Sequence, residues 1–249
     1  MFNGKLIHSN IRLFFTCNPY RLCVKAQSEA RSITKVKKYE ERSSLIYQVK
    51  PLPDQILDYV WDYDVLKPKD ELKYIKIMVE KELKKLAHPV FVELLFASQE
   101  FIRKVEEPYS VSLRDVKRAI TLVKFFYNSL ENRPAYKKGH KYPPYGNPTV
   151  TIRSYVLALS LCYHSRLYDQ NSRKQYRREM GQILQNHKVY VGEDMFARII
   201  REEQEDYINR MQCPPSTANN EALLENVLIM IVCILTKIPV FIIGEMGYV

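Results

Sequence analysis

Between residues 54 and 130 the apolar residues recur every three or four positions, and this helical spacing most limits what the chain can fold into. Asp54, Asp70 and Ser112 are each predicted to cap a helix, and Pro89 is predicted to start another. Four short helices in a row predict an α-helical subdomain, and a total of only 7 glycines argues against barrels and propellers. The faces these helices would bury contain Ile56, Leu57, Val60 and Trp61; Leu72, Ile75, Val79, Leu83 and Leu86; Phe91, Leu94, Leu95, Ile102 and Val105; and Val116, Ala119, Ile120, Val123, Tyr127 and Leu130.

Three short apolar runs predict buried strands on either side of the helices. Residues 11–18 read IRLFFTCN and stop at Pro19, and residues 45–49 read LIYQV before a Pro-Leu-Pro sequence. The third run, 240–243, lies near the end of the chain. The predicted fold class is therefore mainly α with a few short strands of a parallel sheet.

The helical pattern breaks between residues 131 and 149, where four prolines and two glycines predict a linker. A helix is predicted to resume from Ile152 to Leu167, and more helical pattern continues to Met211, before Cys213-Pro214-Pro215. Asn220 or Thr217 can cap a last apolar helix, 222–235.

The apolar stretch from Val227 to Ile243 is the one candidate for a membrane span, but Lys237 and Pro239 interrupt it. We predict a buried helix, a break and a strand there, and no transmembrane span. The five cysteines contain no CxxC pair and no metal-ligand spacing with histidine, which predicts reduced thiols, an intracellular chain and no metal site.

Positive and negative charge occupy different parts of the chain. Residues 131–190 hold eleven cations against three anions, and residues 191–226 hold three cations against eight anions. This asymmetry predicts either pairing within the protein or across an interface, or an ordinary solvated helical surface, which we favour. No motif interleaves basic and exposed aromatic residues, so no nucleic acid partner is predicted.

Three residues could contact a phosphate or another ligand, and each also has an ordinary structural interpretation. Gly244 follows an apolar run in Gly-x-x-Gly, which begins a P-loop or any other glycine turn. Asn18 ends a strand and presents its amide to a ligand, or starts a turn before Pro19. Arg114 can reach a phosphate from the start of a helix, or pair on the surface with Asp115 or Glu107.

Taken in order, these features resemble the C-terminal half of an AAA+ module. The stretches FFTCNPYR, YQVKPLPDQILDYVWDYDVL and YSVSLRDVKRAI resemble the mysterin family, giant proteins that combine tandem AAA+ modules with a RING-type E3 ubiquitin ligase. NEALLENVLIMIVCILTKIPVFIIGEMG is similar to the approach to the next module's Walker A loop in that family. The resemblance covers nearly the whole chain.

The resemblance implies a role for four residues. Asn18 corresponds to sensor 1, which helps to position the attacking water, and Arg114 to sensor 2, by which the lid touches the γ-phosphate. Gly244 and Gly247 correspond to the first and fourth positions of the following Walker A loop. The Walker A lysine and serine do not follow, because Tyr248 and Val249 end the chain, and no RING element is present.

The family assignment implies a division of the chain into five parts. These are the end of an AAA+ α/β core at 1–53, a helical lid at 54–133, a linker at 134–149, an inter-module helical region at 150–236, and the start of the next module at 237–249. We expect a cytoplasmic fragment whose partners are neighbouring AAA+ modules of the same chain and, in the full-length protein, the ubiquitin machinery.

The implied cofactors are ATP and Mg²⁺ in the full-length protein, with the fragment alone inactive, because Mg²⁺ and Lys supply most of phosphoryl-transfer catalysis. Two alternatives remain open: a non-enzymatic helical module that docks an acidic protein, and a tandem AAA+ motor of the dynein or midasin type.

Overall fold

The computed structural model describes residues 58–61, 66–106, 110–139, 141–143, 148–189, 193–214 and 220–241. The chain divides into two units, residues 1–65 and 66–249, and the description below concerns the second. The described part of this unit is helical and contains no strand. Its helices are α1 (Pro68–Leu83), α2 (Pro89–Val105), α3 (Leu113–Glu131), α4 (Val150–Leu159), α5 (Gln170–Asn186), α6 (Glu193–Asn209) and α7 (Glu221–Thr236).

Helix α4 is the central element, because its second half is buried on every side. Five consecutive residues are fully buried, and α2, α3 and α6 all pack against it. The Tyr155 ring stacks on Phe91 of α2 with 4.4 Å between ring centroids, and its hydroxyl donates a hydrogen bond to the carbonyl oxygen of Leu86. The buried run is Tyr155, Val156, Leu157, Ala158 and Leu159.

Several predicted helix boundaries are confirmed. Pro89 is the first residue of α2, Ser112 is the N-cap of α3, and Asn220 caps α7 by accepting from the Leu223 amide at 2.8 Å. Helix α6 ends at Asn209, ahead of the predicted stop at Cys213. The first turn of a helix leaves its backbone N–H groups without partners. The Ser112 and Asn220 side chains each accept from one of these groups, and Pro89 has no N–H to satisfy.

The predicted cap at Asp70 is wrong. Helix α1 begins two residues earlier at Pro68, with Lys67 as N-cap, and Asp70 lies inside the first turn. Proline suits the first helical position because its missing N–H has no partner there in any case, and an acidic residue in the first turn complements the helix dipole.

The predicted buried faces are largely confirmed, with exceptions at their edges. Leu72 and Val105 are exposed, although both follow the helical spacing. Phe126 is fully buried on α3 but was absent from the predicted face. The helix predicted from Asp54 begins outside the described residues. Val60 and Trp61, which were predicted to be buried on that helix, are exposed and lie in irregular backbone.

The helix predicted from Ile152 to Leu167 is real but is not regular. After Leu159 the backbone widens into a π-turn, Ser160–His164, closed by a bond from the Ser165 amide to the Ser160 carbonyl at 2.9 Å. The extra residue turns both Tyr163 and His164 inward, where both are buried.

Residues 132–149, which include the predicted linker 134–149, connect α3 to α4, and these two helices pack directly against each other. Side chains from both helices belong to one hydrophobic core. The boundaries proposed for the five parts of the chain stay predictions.

The predicted strands fall almost wholly outside the described residues. Residues 11–18 and 45–49 are not described, and of 240–243 only Val240 and Phe241 are, in irregular backbone. Lys237 ends α7 in the left-handed conformation, with φ of 57°. Of the helices described, none has both the length and the apolar character that a membrane crossing requires.

The favoured interpretation of the charge asymmetry as a solvated surface is wrong for three arginines of the basic stretch. Arg133 pairs with Glu203 at 2.6 Å and with Asp206 at 2.9 Å. Arg153 pairs with Glu202 at 2.8 Å, and Arg173 of α5 pairs with Glu225 of α7 at 3.0 Å. The acidic stretch therefore supplies the counter-ions of these three arginines within the same unit.

The Arg133 cluster is the most deeply buried of these ion pairs. The side chains of Arg133 and Glu203 are only 5% and 0% exposed, and the rings of Tyr142 and Tyr207 lie 5.1 and 5.0 Å from the guanidinium. Burial alone would lower the pKa of Arg133, but the charge and hydrogen bonds of Glu203 raise it above its ordinary value. The guanidinium therefore stays charged and bonded.

We expect Arg133→Ala to destabilise the fold by about 3 kcal/mol or more, because it leaves the fully buried Glu203 without its counter-ion and removes one of the two arginines that pair with Asp206. Arg201→Ala is the matched control, since Arg201 pairs with Glu205 on the exposed face of α6. It should cost less than about 1 kcal/mol. Chemical denaturation followed by circular dichroism measures both, and equal losses would contradict the prediction.

His164 is held neutral inside the fold. Burial, together with the charges of Arg173 and Arg177, lowers its pKa from 6.5 to about 3. Its Nε2 atom lies 2.9 Å from Nη1 of Arg177, so it accepts that hydrogen bond and the proton resides on Nδ1.

Because the unfolded chain binds a proton at His164 below about pH 6.5 and the folded chain does not, stability should fall as the pH drops from 7 toward 5. The contribution of one such group is at most about 1.4 kcal/mol per pH unit. His164→Gln should flatten this part of the profile, measured by denaturant titration at each pH. An unchanged slope would show that His164 is protonated in the folded chain.

Candidate functional site

Arg114 lies at the second position of α3, and its side chain is exposed. A reciprocal capping box forms the start of this helix. The Ser112 hydroxyl accepts from the Arg114 amide at 3.3 Å, and the Asp115 carboxylate accepts from the Ser112 amide at 2.8 Å. The capping box fixes the backbone from which Arg114 extends.

Asp115, the described alternative partner of Arg114, is paired with another arginine. Asp115 accepts a hydrogen bond from Arg118 at 3.0 Å, so the alternative of an Arg114–Asp115 pair does not hold. Glu107, the other alternative partner, lies outside the described residues. Lys117 is exposed one turn further along the helix. An exposed arginine on the first turn of a helix suits an anionic ligand, because guanidinium and helix dipole attract the same charge.

The other predicted site residues cannot be placed beside Arg114. Asn18, Gly244 and Gly247 all lie outside the described residues. The predicted nucleotide site is therefore represented in the structure by Arg114 alone.

One buried residue next to this site was not identified from the sequence. Gln99 of α2 is fully buried, and its Nε2 atom donates to the Ser112 carbonyl at 3.0 Å and to the Tyr163 hydroxyl at 3.1 Å. The available signal was an amide on the apolar face of α2, between Leu95 and Ile102. A polar residue on such a face requires buried partners.

The described part of the chain shows no arrangement suited to metal binding, and two of its three cysteines have a raised thiol pKa. No cluster of His, Cys, Asp and Glu there is arranged to hold a metal ion. Burial raises the pKa of the Cys162 and Cys233 thiols, which keeps both protonated and unreactive. A groove of about 430 Å³ runs along α5, lined by polar side chains of that one helix, and does not include Arg114.

Comparison with known proteins shows that the chain is similar to one group of E3 ubiquitin-protein ligases. Residues 216–248 match the family described as the RNF213 AAA domain. Over 96% of its length the chain is 29% identical to E3 ubiquitin-protein ligase rnf213-beta of Danio rerio and 28% identical to E3 ubiquitin-protein ligase RNF213 of Homo sapiens. The mouse RNF213 is 26% identical over 98% of the chain.

The chain spans only 5% of the length of these relatives. RNF213 is the ligase also called mysterin, so the resemblance stated from the sequence is confirmed. The match to the AAA domain covers α7 and the residues that follow it.

Ser112→Ala should destabilise the chain by about 1 kcal/mol, because it removes the side-chain acceptor of the α3 capping box. Thr121→Ala, on an exposed middle turn of the same helix, is the control and should change stability by less than about 0.5 kcal/mol. Thermal unfolding followed by circular dichroism distinguishes them. Indistinguishable midpoints would mean that the cap does not hold the first turn.

Proposed function

We propose that this chain is a helical part of an RNF213-type protein in which AAA+ modules hydrolyse ATP and a separate element transfers ubiquitin. The observation that carries the proposal is the similarity over 96% of the chain to relatives named as E3 ubiquitin-protein ligases. The match of residues 216–248 to the RNF213 AAA domain supports the AAA+ part. We assign the chain a mechanical contribution, because its described part from residue 66 onward is helical and includes a cationic helix start.

Arg114 is the residue that we assign to the nucleotide. Its guanidinium would contact the γ-phosphate of ATP from the first turn of α3, and Asn18 would hold the attacking water. Mg²⁺ and a Walker A lysine supply the remaining charge neutralisation when the nucleotide is bound. Gly244 and Gly247 would form part of the next module's phosphate loop.

The geometry at Arg114 supports this role in two ways. The capping box fixes the helix start, and Arg118 rather than Arg114 neutralises Asp115. A cation at a fixed helix start, with no ion pair among the described residues, suits the stabilisation of a transferring phosphoryl group. Movement of α3 with the helical unit would then carry the arginine toward or away from the phosphate.

A second candidate function is the docking of an acidic protein without nucleotide. It is favoured by the exposed cations that remain after internal pairing, among them Lys137, Lys138 and Lys174. Such binding would weaken with salt and would not require ATP. The names of the relatives favour the RNF213 type over a dynein- or midasin-type motor.

The isolated chain should show no Mg²⁺-dependent ATP hydrolysis, because it supplies no Walker A lysine or Walker A serine. A phosphate-release assay with purified chain measures this. Magnesium-dependent turnover that Arg114→Ala abolishes would contradict it.

The role of Arg114 is tested in a host that carries the missing residues, the zebrafish relative with its aligned stretch replaced by this chain. Arg114→Ala should lower ATP hydrolysis by about tenfold or more, because the γ-phosphate loses a charged contact. Lys174→Ala, an exposed cation on α5, is the control and should stay within about twofold of the unsubstituted host. Equal rates for the two variants would reject the sensor role.

A further inference from the structure

The buried amide of Gln99 joins two elements that are distant in sequence. Its two N–H groups bond the carbonyl of Ser112, which is the N-cap of α3, and the hydroxyl of Tyr163 in the π-turn. The Ser112 carbonyl also accepts from the Asp115 amide at 2.9 Å. Gln99 therefore holds the same peptide group that begins the helix of Arg114.

The polar network continues from Gln99 to α1. Arg103 reaches the Gln99 side-chain oxygen at 3.4 Å and forms two hydrogen bonds to Glu71, at 2.8 and 2.6 Å. Glu71 is buried on α1, and its bond to Arg103 is bidentate, which fixes orientation as well as distance. A continuous set of hydrogen bonds thus runs from α1 through α2 to the first turn of α3.

We propose that Gln99 is the positioning residue for Arg114, and that it couples the placement of α1 to the phosphate contact made by the arginine. The inference rests on the proposed function, because that function supplies the γ-phosphate that Arg114 would contact. Its geometric basis is independent of that function. A buried amide with three polar partners restricts the N-cap more tightly than apolar packing does, since every displacement leaves a buried polar group unpaired.

Ser98 provides a matched comparison on the same helix. It is also fully buried, and its hydroxyl bonds the Leu94 carbonyl at 2.7 Å and the Tyr176 hydroxyl at 2.8 Å. These partners belong to α2 and α5, and none belongs to α3. A general loss of core polarity should therefore affect Ser98 and Gln99 variants alike, whereas a loss of positioning should appear with Gln99 alone.

The first experiment measures amide hydrogen exchange in the whole chain. Gln99→Met keeps the side-chain volume and removes both donors. We expect the amides of Arg114 and Asp115 to exchange about tenfold faster in this variant, because the N-cap loses its tertiary support. Ser98→Ala should leave both rates within about twofold of the wild type. Equal acceleration in the two variants would overturn the proposal.

The second experiment measures the affinities of ATP and ADP in the zebrafish host that carries this chain. A residue that only stabilises the fold changes both affinities together. A residue that positions a γ-phosphate contact lowers the preference for ATP, and we expect Gln99→Met to lower it about threefold or more in the direction of Arg114→Ala. In the double variant Gln99→Met should add nothing, because the group it positions is absent.

The outcomes separate this inference from the proposed function. If Arg114→Ala leaves the ATP preference unchanged, the sensor role fails, and the inference fails with it. If Arg114→Ala lowers the preference but Gln99→Met behaves like Ser98→Ala, only the positioning role is overturned. An additive double variant would likewise overturn it.

Discussion

The helical unit depends on a buried cluster of charges whose members must remain paired. Arg133 leaves the end of α3 and enters the interior, where Glu203 and Asp206 of α6 meet it and two tyrosine rings cover it. An isolated charge in that position would be strongly unfavourable. The end of α3 and the inner face of α6 must therefore lie close enough for these ion pairs to form. Arg210 then bonds both Asp206 and the Pro134 carbonyl, which extends the same constraint to the loop after α3.

Helix starts were the most predictable part of the fold. Pro89, Ser112 and Asn220 act through their own backbone or the next three residues, so a local pattern contains the whole cause. The start of α1 was predicted two residues too late. Pro68 and Asp70 both suit the beginning of a helix, and it is Pro68 that takes the first helical position. The π-turn left no local signal, since an added residue does not change the apolar spacing enough to be recognised.

Tertiary partners explain what sequence patterns could not. The segregation of charge was visible, but which arginines would be buried depended on the packing of α3, α4 and α6. At the site, Arg114 could be selected through a family resemblance, whereas Gln99 could not. The importance of an amide on an apolar face becomes apparent only when the residues around it are known, and here they are an N-cap carbonyl and a tyrosine hydroxyl.

The division of the chain at residue 65 has a practical consequence for spectroscopy. The protein has 1 tryptophan, Trp61, and it belongs to the first unit. Indole fluorescence therefore senses the surroundings of residue 61, while the helices from Pro68 onward contain only tyrosine and phenylalanine as aromatic chromophores. A melting curve recorded by emission at long wavelength and one recorded from the peptide backbone would describe different parts of the same polypeptide, and their midpoints need not coincide.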